Sequence, residues 1–200
     1  SSAASDVYKR QGFWNHLAIN PFIYAHSMRR ENRINYGGKT MIKNFDEMLS
    51  AIKTGKRHNL VVADAAGEAV IVALAEAEKM GIIKPYLIGD EEKIKPLVEK
   101  HQLSEFKIIN ERDPQAVATK TVELARSGEC DMIMKGKLST PILLKAVLDK
   151  ETGLRKGKLL SHVAVMEVEK YPKLFIMTDG GMNIRPDVND KVQILANAAE

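Results

Sequence analysis

The chain has 200 residues, 44% of them hydrophobic, one cysteine and a formal net charge of +4. That length allows one large domain or two small ones. No apolar run approaches the ~18 residues that span a membrane, and the lone cysteine leaves no internal disulfide and no cysteine-based zinc site, so a reducing, cytoplasmic setting is the expectation. The positive charge is not spread evenly: residues 1–40 carry six basic groups against two acidic ones, whereas 41–200 carry 24 of each. A basic nucleic-acid face is therefore not expected.

Residues 1–40 also hold six of the eleven aromatics, with no sustained periodicity and no layout of a signal peptide. "SSAASDVYKRQ" resembles translated adapter sequence. "YGGKTM" back-translates to a GGAGG element just ahead of an ATG. The segment is read as a non-native translated leader, or else as a disordered extension, with Met41 as the true start.

From Met41 onward the pattern alternates. "FDEMLSAIK" (45–53) predicts a short amphipathic helix with Phe45, Met48, Leu49 and Ile52 on one face. "NLVVADA" (59–65) has the length of a buried strand. "EAVIVALAEAEKMG" (68–81) is a helix of strong formers ending at Gly81. "KPYLIGD" (84–90) is a second strand. "EEKIKPLVEKH" (91–101) is a helix with acidic residues in its first turn, and Pro96 inside it predicts a kink or a late start. "FKIINE" (106–111) is the third strand. "DPQAVATKTVELARSGE" (113–129) is a helix with Asp113 as N-cap and Pro114 as first residue. "DMIMK" (131–135) is the fourth strand, followed by the helix "PILLKAVLDK". "HVAVMEV" (162–168) and "KLFIMTDG" (173–180) are too close for a crossover helix, so they predict a hairpin. "DVNDKVQILANAAE" (187–200) is a last helix.

This alternation predicts an α/β fold, a mostly parallel sheet with helices on both faces. Ligands then belong at the carboxyl ends of the strands, in the loops after 65, 89, 135 and 179. The loop after 135, "KGKLSTP", contains Gly-Lys, but a nucleotide-binding P-loop needs glycine where Asp131 stands and Ser or Thr where Leu138 stands. ATP hydrolysis is thereby set aside, while anion binding is not. With Thr140 as N-cap and Pro141 as first helical residue, the positive helix end points at Gly136–Ser139. Gly136 permits close approach of a ligand, Lys135 and Lys137 supply charge, and Ser139 and Thr140 supply hydroxyls. The alternative is a solvated basic turn. The loop after 178 offers Asp179, Gly180, Gly181, Asn183 and Arg185. Between the two lies a basic stretch, Arg155, Lys156 and Lys158, leading to His162, which is read either as a solvated loop or as a positive rim for a phosphorylated ligand. Cys130 has no neighbouring histidine to activate it and is read as a buried hydrophobe. No spacing of His or carboxylates predicts a metal site.

"PYLIGDEEKIKPLVEKH", "CDMIMKGKLSTPILLKAVLD" and "LFIMTDGGMNIRP", in this order, resemble the phosphate acetyl/butyryl transferases over residues 41–200. The Lys-Gly-Lys-x-Ser-Thr and Asp-Gly-Gly-Met-Asn forms are most similar to the butyryl branch. The resemblance implies acyl-CoA plus phosphate giving acyl phosphate plus CoA, by direct transfer without an acyl-enzyme. It implies no bound cofactor, with CoA as a substrate. It also implies a two-domain architecture like isopropylmalate dehydrogenase with the site in the cleft, and a homo-oligomer when full length.

Carried over by position, Lys135, Gly136, Lys137, Ser139 and Thr140, with Asp179, Gly180, Gly181 and Asn183, would hold phosphate or acyl phosphate in that cleft. Acetyltransferase relatives place an arginine in the helix after the first loop, where this chain has Lys145. The family's catalytic Ser, Arg and Asp fall beyond Glu200, so 41–200 is read as the amino-terminal part of the acyltransferase domain, inactive alone. The alternatives are the acetyl-specific enzyme, including a hydratase-fused form, and a non-catalytic anion- or nucleotide-binding regulator on the same scaffold.

Overall fold

The computed structural model describes residues 23–25, 42–53, 55–155 and 159–199. It divides into two compact units, residues 1–32 with 55–154 and residues 33–54 with 155–200.

The first unit is built on a five-stranded sheet in the order β1-β5-β2-β3-β4. Strands β2 (His58–Ala63), β3 (Ile83–Gly89), β4 (Lys107–Asn110) and β5 (Met132–Lys135) run parallel. Their residues alternate between two cores, as the period of two requires. Val61, Ala63, Tyr86, Ile88 and Ile133 pack on one face with α4 (Pro114–Arg126) and α5 (Thr140–Val147). Leu60, Val62, Leu87 and Met134 pack on the other with α2 (Glu68–Lys79) and α3 (Glu91–Lys100). Both faces of the sheet are thus covered, which is why its strands read as apolar runs and not as alternating ones.

Local sequence sets the helix ends. Asp113 caps α4 by accepting from the Ala116 N–H at 2.7 Å, and Asp90 caps α3 by accepting from the Glu92 N–H at 3.2 Å. Gly81, at φ +74°, closes α2: its N–H reaches the Glu78 carbonyl, and the Ile82 N–H reaches the Ala77 carbonyl. That pair of bonds is the Schellman arrangement that a glycine after the last turn permits.

One expectation is narrowed and two are corrected here. Helix α3 begins at Glu91 and runs through Pro96, so there is no late start; the Asp90 cap and the acidic first turn fix the beginning upstream of the proline. Helix α5 begins at Thr140 with Ser139 as N-cap, and Pro141 is its second residue; a proline fits anywhere in a first turn, where its missing N–H has no helical partner. A strand, β1 (Ile23–Ala25), pairs antiparallel with β5 in a segment where none was expected. It occupies the row of backbone groups that β5 would otherwise leave open at the sheet edge. The rest of the reading of residues 1–40, and of Met41 as the start, lies outside the described residues.

The second unit holds α1 (Phe45–Lys53), the expected antiparallel hairpin of β6 (Val163–Met166) and β7 (Phe175–Thr178), and α6 (Val188–Ala199). The Phe45 N–H donates to Glu167 at 2.7 Å, tying α1 to the hairpin. Asp187 and Asp190 each accept the other's backbone N–H at the start of α6, a reciprocal cap. No helix among the described residues is long and apolar enough to cross a membrane.

Candidate functional site

Strands β2, β3 and β4 step outward in one direction, and β5 returns to the other side of β2. The carboxyl ends of β2 and β5 therefore flank the point where strand order reverses, the place where open α/β sheets hold ligands. Two loops meet there in tight backbone contact. The Gly136 N–H donates to the Ala63 carbonyl at 2.9 Å and the Lys137 N–H to the Asp64 carbonyl at 2.8 Å. A Cβ at position 136 would stand 2.0 Å from the Asp64 carbonyl oxygen, so only glycine fits. Asp64 itself adopts φ +61°. The half-buried Lys135 turns back on its own loop, its Nζ donating to the carbonyls of Gly136 at 3.2 Å and Leu138 at 3.3 Å. Lys137 is exposed and runs past Gly67 at the start of α2, its Cγ 3.5 Å from where a Cβ would be. Among the described residues Lys137 has no ion-pair partner. The Ser139 hydroxyl makes no capping bond to α5, and the N–H groups of Ser139 and Thr140 meet no acceptor among the described residues.

The loop after β7 is organised differently. Asp179 accepts from the His162 N–H at 3.0 Å, the Met182 N–H at 3.3 Å, the Asn183 N–H at 2.9 Å and the Asn183 side-chain amide. Burial pushes its carboxyl up, but these bonds outweigh burial and hold it below the usual range. The Asn183 amide also donates to the Leu160 carbonyl at 3.1 Å. Thr178 Oγ1 donates to the His162 carbonyl at 2.7 Å. Gly180 lies against the His162 ring, and Gly181 has φ +131°. His162 Nδ1 is buried without a hydrogen-bond partner among the described residues.

Comparison with known proteins gives these two loops a common context. The family model described as "Phosphate acetyl/butaryl transferase" matches residues 109–200. A phosphate butyryltransferase of Clostridium beijerinckii is 41% identical over 160 residues, 79% of this chain and 53% of its own length. A phosphate acetyltransferase of Rickettsia felis is 40% identical over 132 residues, 65% of this chain and 38% of its own. The chain belongs to the phosphate acetyl/butyryl transferase family. A solved structure, a branched-chain phosphotransacylase from Enterococcus faecalis V583, superposes with a TM-score of 0.58 at 27% identity, covering 70% of this chain and 49% of that one. The chain spans about half the length of the curated relatives it matches.

Of the other expected positions, Lys145, Arg155 and Arg185 are exposed, and Lys156 and Lys158 lie outside the described residues. Cys130 is buried, and burial, with Glu129 and Asp131 beside it, pushes its thiol up to about 12, so it is no nucleophile at neutral pH. The first loop instead opens on a cavity of about 420 Å³ at the carboxyl edge of the sheet, lined by Lys137 and Leu138 together with Asp64, Asp90, Glu111 and Arg112.

These last four were not singled out from sequence, although each directly follows a strand or nearly so. The signal was the strand end itself, as in "VVAD", "LIGD" and "IINER". Asp90 binds Lys93 and Arg112, both at 3.2 Å. Burial acts to raise its carboxyl, and these cations with the Glu92 N–H hold it below the usual range. Arg112 is also paired with Glu92 at 2.9 Å. Lys93 also lines the cavity, and of its three cations Lys137 is the one with no acidic partner among the described residues.

Proposed function

We propose that this chain supplies the phosphate-binding part of a phosphate acyltransferase that moves an acyl group, butyryl in preference to acetyl, between CoA and inorganic phosphate. The observation that carries the reading is the donor set of the loop after β5 left over among the described residues: Lys137 without an ion-pair partner and two N–H groups at the start of α5 without an acceptor, held against β2 by a glycine that nothing can replace. Such a set binds a tetrahedral oxyanion through charge-assisted bonds and the helix end. In the reaction a phosphate oxygen adds to the thioester carbonyl, the tetrahedral oxyanion collapses, and the CoA thiolate leaves. Holding phosphate in one orientation is the contribution of these residues.

The butyryl preference rests on the Lys-Gly-Lys-x-Ser-Thr and Asp-Gly-Gly-Met-Asn forms and on modestly higher identity. Two butyryltransferases are 41% and 39% identical over 79% and 80% of the chain, against 37% over 76% for an acetyltransferase of Thermotoga maritima. The family resemblance puts the thiol-activating groups outside these residues, so the chain by itself is expected to bind and not to turn over.

Calorimetry with phosphate and butyryl phosphate tests this. Saturable binding is expected, weakened about tenfold or more by Lys137→Ala, with no thiol release from butyryl-CoA and phosphate. Unchanged affinity in that variant removes Lys137 from the site. Turnover by the 200-residue chain refutes the division of labour.

A further inference from the structure

Two lysines flank Gly136, and the structure gives them different surroundings. The Lys135 ammonium is half-buried and donates to the carbonyls of Gly136 at 3.2 Å and Leu138 at 3.3 Å. A trans peptide is planar, with its C=O and the following N–H on opposite sides. With the Gly136 carbonyl on the ammonium, the Lys137 N–H must point away, and it donates to the Asp64 carbonyl at 2.8 Å. With the Leu138 carbonyl on the ammonium, the Ser139 N–H must also point away. That N–H has no acceptor among the described residues, and it adjoins the free N–H of Thr140 at the start of α5. A loop left to itself could turn these carbonyls toward an incoming anion and repel it. An ammonium has three donors and no acceptor, so it can gather two carbonyl oxygens at once.

We propose that Lys135 is a positioning residue: it clamps the Gly136 and Leu138 carbonyls away from the ligand so that the Ser139 and Thr140 N–H groups face it, while Lys137 makes the charged contact. The ligand in this proposal, phosphate or the phosphate of an acyl phosphate, rests on the functional reading above. The clamp itself does not.

The test is nuclear magnetic resonance on the whole chain with inorganic phosphate as probe. Without phosphate, Lys135→Met is expected to shift the amide signals of Gly136 through Thr140, and Lys137→Met to leave those of Ser139 and Thr140 in place. With phosphate, Lys135→Met should lose about tenfold in affinity and Lys135→Arg should recover most of it, because a guanidinium can also bridge two carbonyls. In the unmutated chain, phosphate should move the Lys137 ¹³Cε signal and leave that of Lys135 unmoved. This last measurement decides the matter if Lys135→Met does not fold. Equal movement of both ¹³Cε signals, or loop amides unmoved by Lys135→Met, overturns the proposal. If phosphate fails to bind the unmutated chain, the functional reading falls, and the clamp is judged on the phosphate-free amide shifts alone.

Discussion

The loops after β5 and β7 carry the same cue in sequence, glycine beside charged and amide residues at the carboxyl end of a strand, yet they use their polar groups in opposite ways. The Asp179 loop spends its chemistry on itself: one carboxylate accepts four bonds, three of them from backbone N–H groups, and Asn183 donates to both Asp179 and Leu160. The Gly136 loop spends the Lys135 ammonium and the Gly136 and Lys137 N–H groups, and among the described residues leaves the Lys137 ammonium and the Ser139 and Thr140 N–H groups unclaimed. Composition marks both as polar loops. What separates a loop that holds its own shape from one that can hold a ligand is the set of donors left over after the fold is made.

The largest effect that would sharpen this contrast comes from the glycines. At Gly136 an added methyl would meet the Asp64 carbonyl oxygen at 2.0 Å and the Ala63 carbonyl oxygen at 2.9 Å. Both are backbone atoms of the central strand's end and cannot rotate aside. Gly136→Ala is expected to cost about 4 kcal/mol or more, read by urea denaturation. Gly181 has φ +131° but nothing within 4 Å of the added carbon. Gly181→Ala should cost only the conformational strain, about 1–3 kcal/mol. Equal costs would mean that the two loops are held equally tightly, and would break the comparison.

Next in size is Asp179→Asn. The change keeps one acceptor oxygen but removes the charge that three N–H groups share, an expected loss of about 2 kcal/mol at neutral pH. The pH dependence has a definite sign. The folded carboxyl lies below its ordinary value, so its stabilisation is complete above the unfolded value near 3.9 and is lost as pH falls through the folded one. The gap between the parent chain and Asp179→Asn should therefore narrow below about pH 4. The depressed carboxyls of Glu78 and Asp90 titrate in the same acid range, but they are common to both proteins and cancel in the difference. A gap independent of pH would show that Asp179 acts by shape and not by charge.

Much of the frame was legible in the sequence because it is written locally. Apolar runs of strand length, Asp113-Pro114 and the glycine at 81 each act through neighbours a few residues away, and the structure places strands, cap and helix end where those signals put them. The hairpin followed from the short spacing between "HVAVMEV" and "KLFIMTDG". What was not legible depends on segments far apart in the chain. That Lys135 faces its own loop follows from the approach of Asp64, which fixes the path of residues 136–138. That Asp179 is saturated follows from the proximity of His162. The charged residues around the cavity come from the ends of several strands, and only the sheet order brings them together.

The smallest effect is the most specific. Ser139 occupies the N-cap of α5 with an extended backbone, yet its hydroxyl makes no bond to the helix. Asp113 occupies the same position of α4 and accepts from the Ala116 N–H at 2.7 Å. Removing a working cap costs about 1 kcal/mol, so Asp113→Ala should show that loss in a denaturation curve. Ser139→Ala should change stability by less than about 0.5 kcal/mol, the range of substitutions that touch nothing. A serine that leaves its own helix end open is of no use to the fold, but it leaves the Ser139 and Thr140 N–H groups available to an anion. A full cap loss at Ser139 would mean that the hydroxyl closes the helix in solution, and the donor set on which the phosphate reading stands would then be occupied by the protein itself.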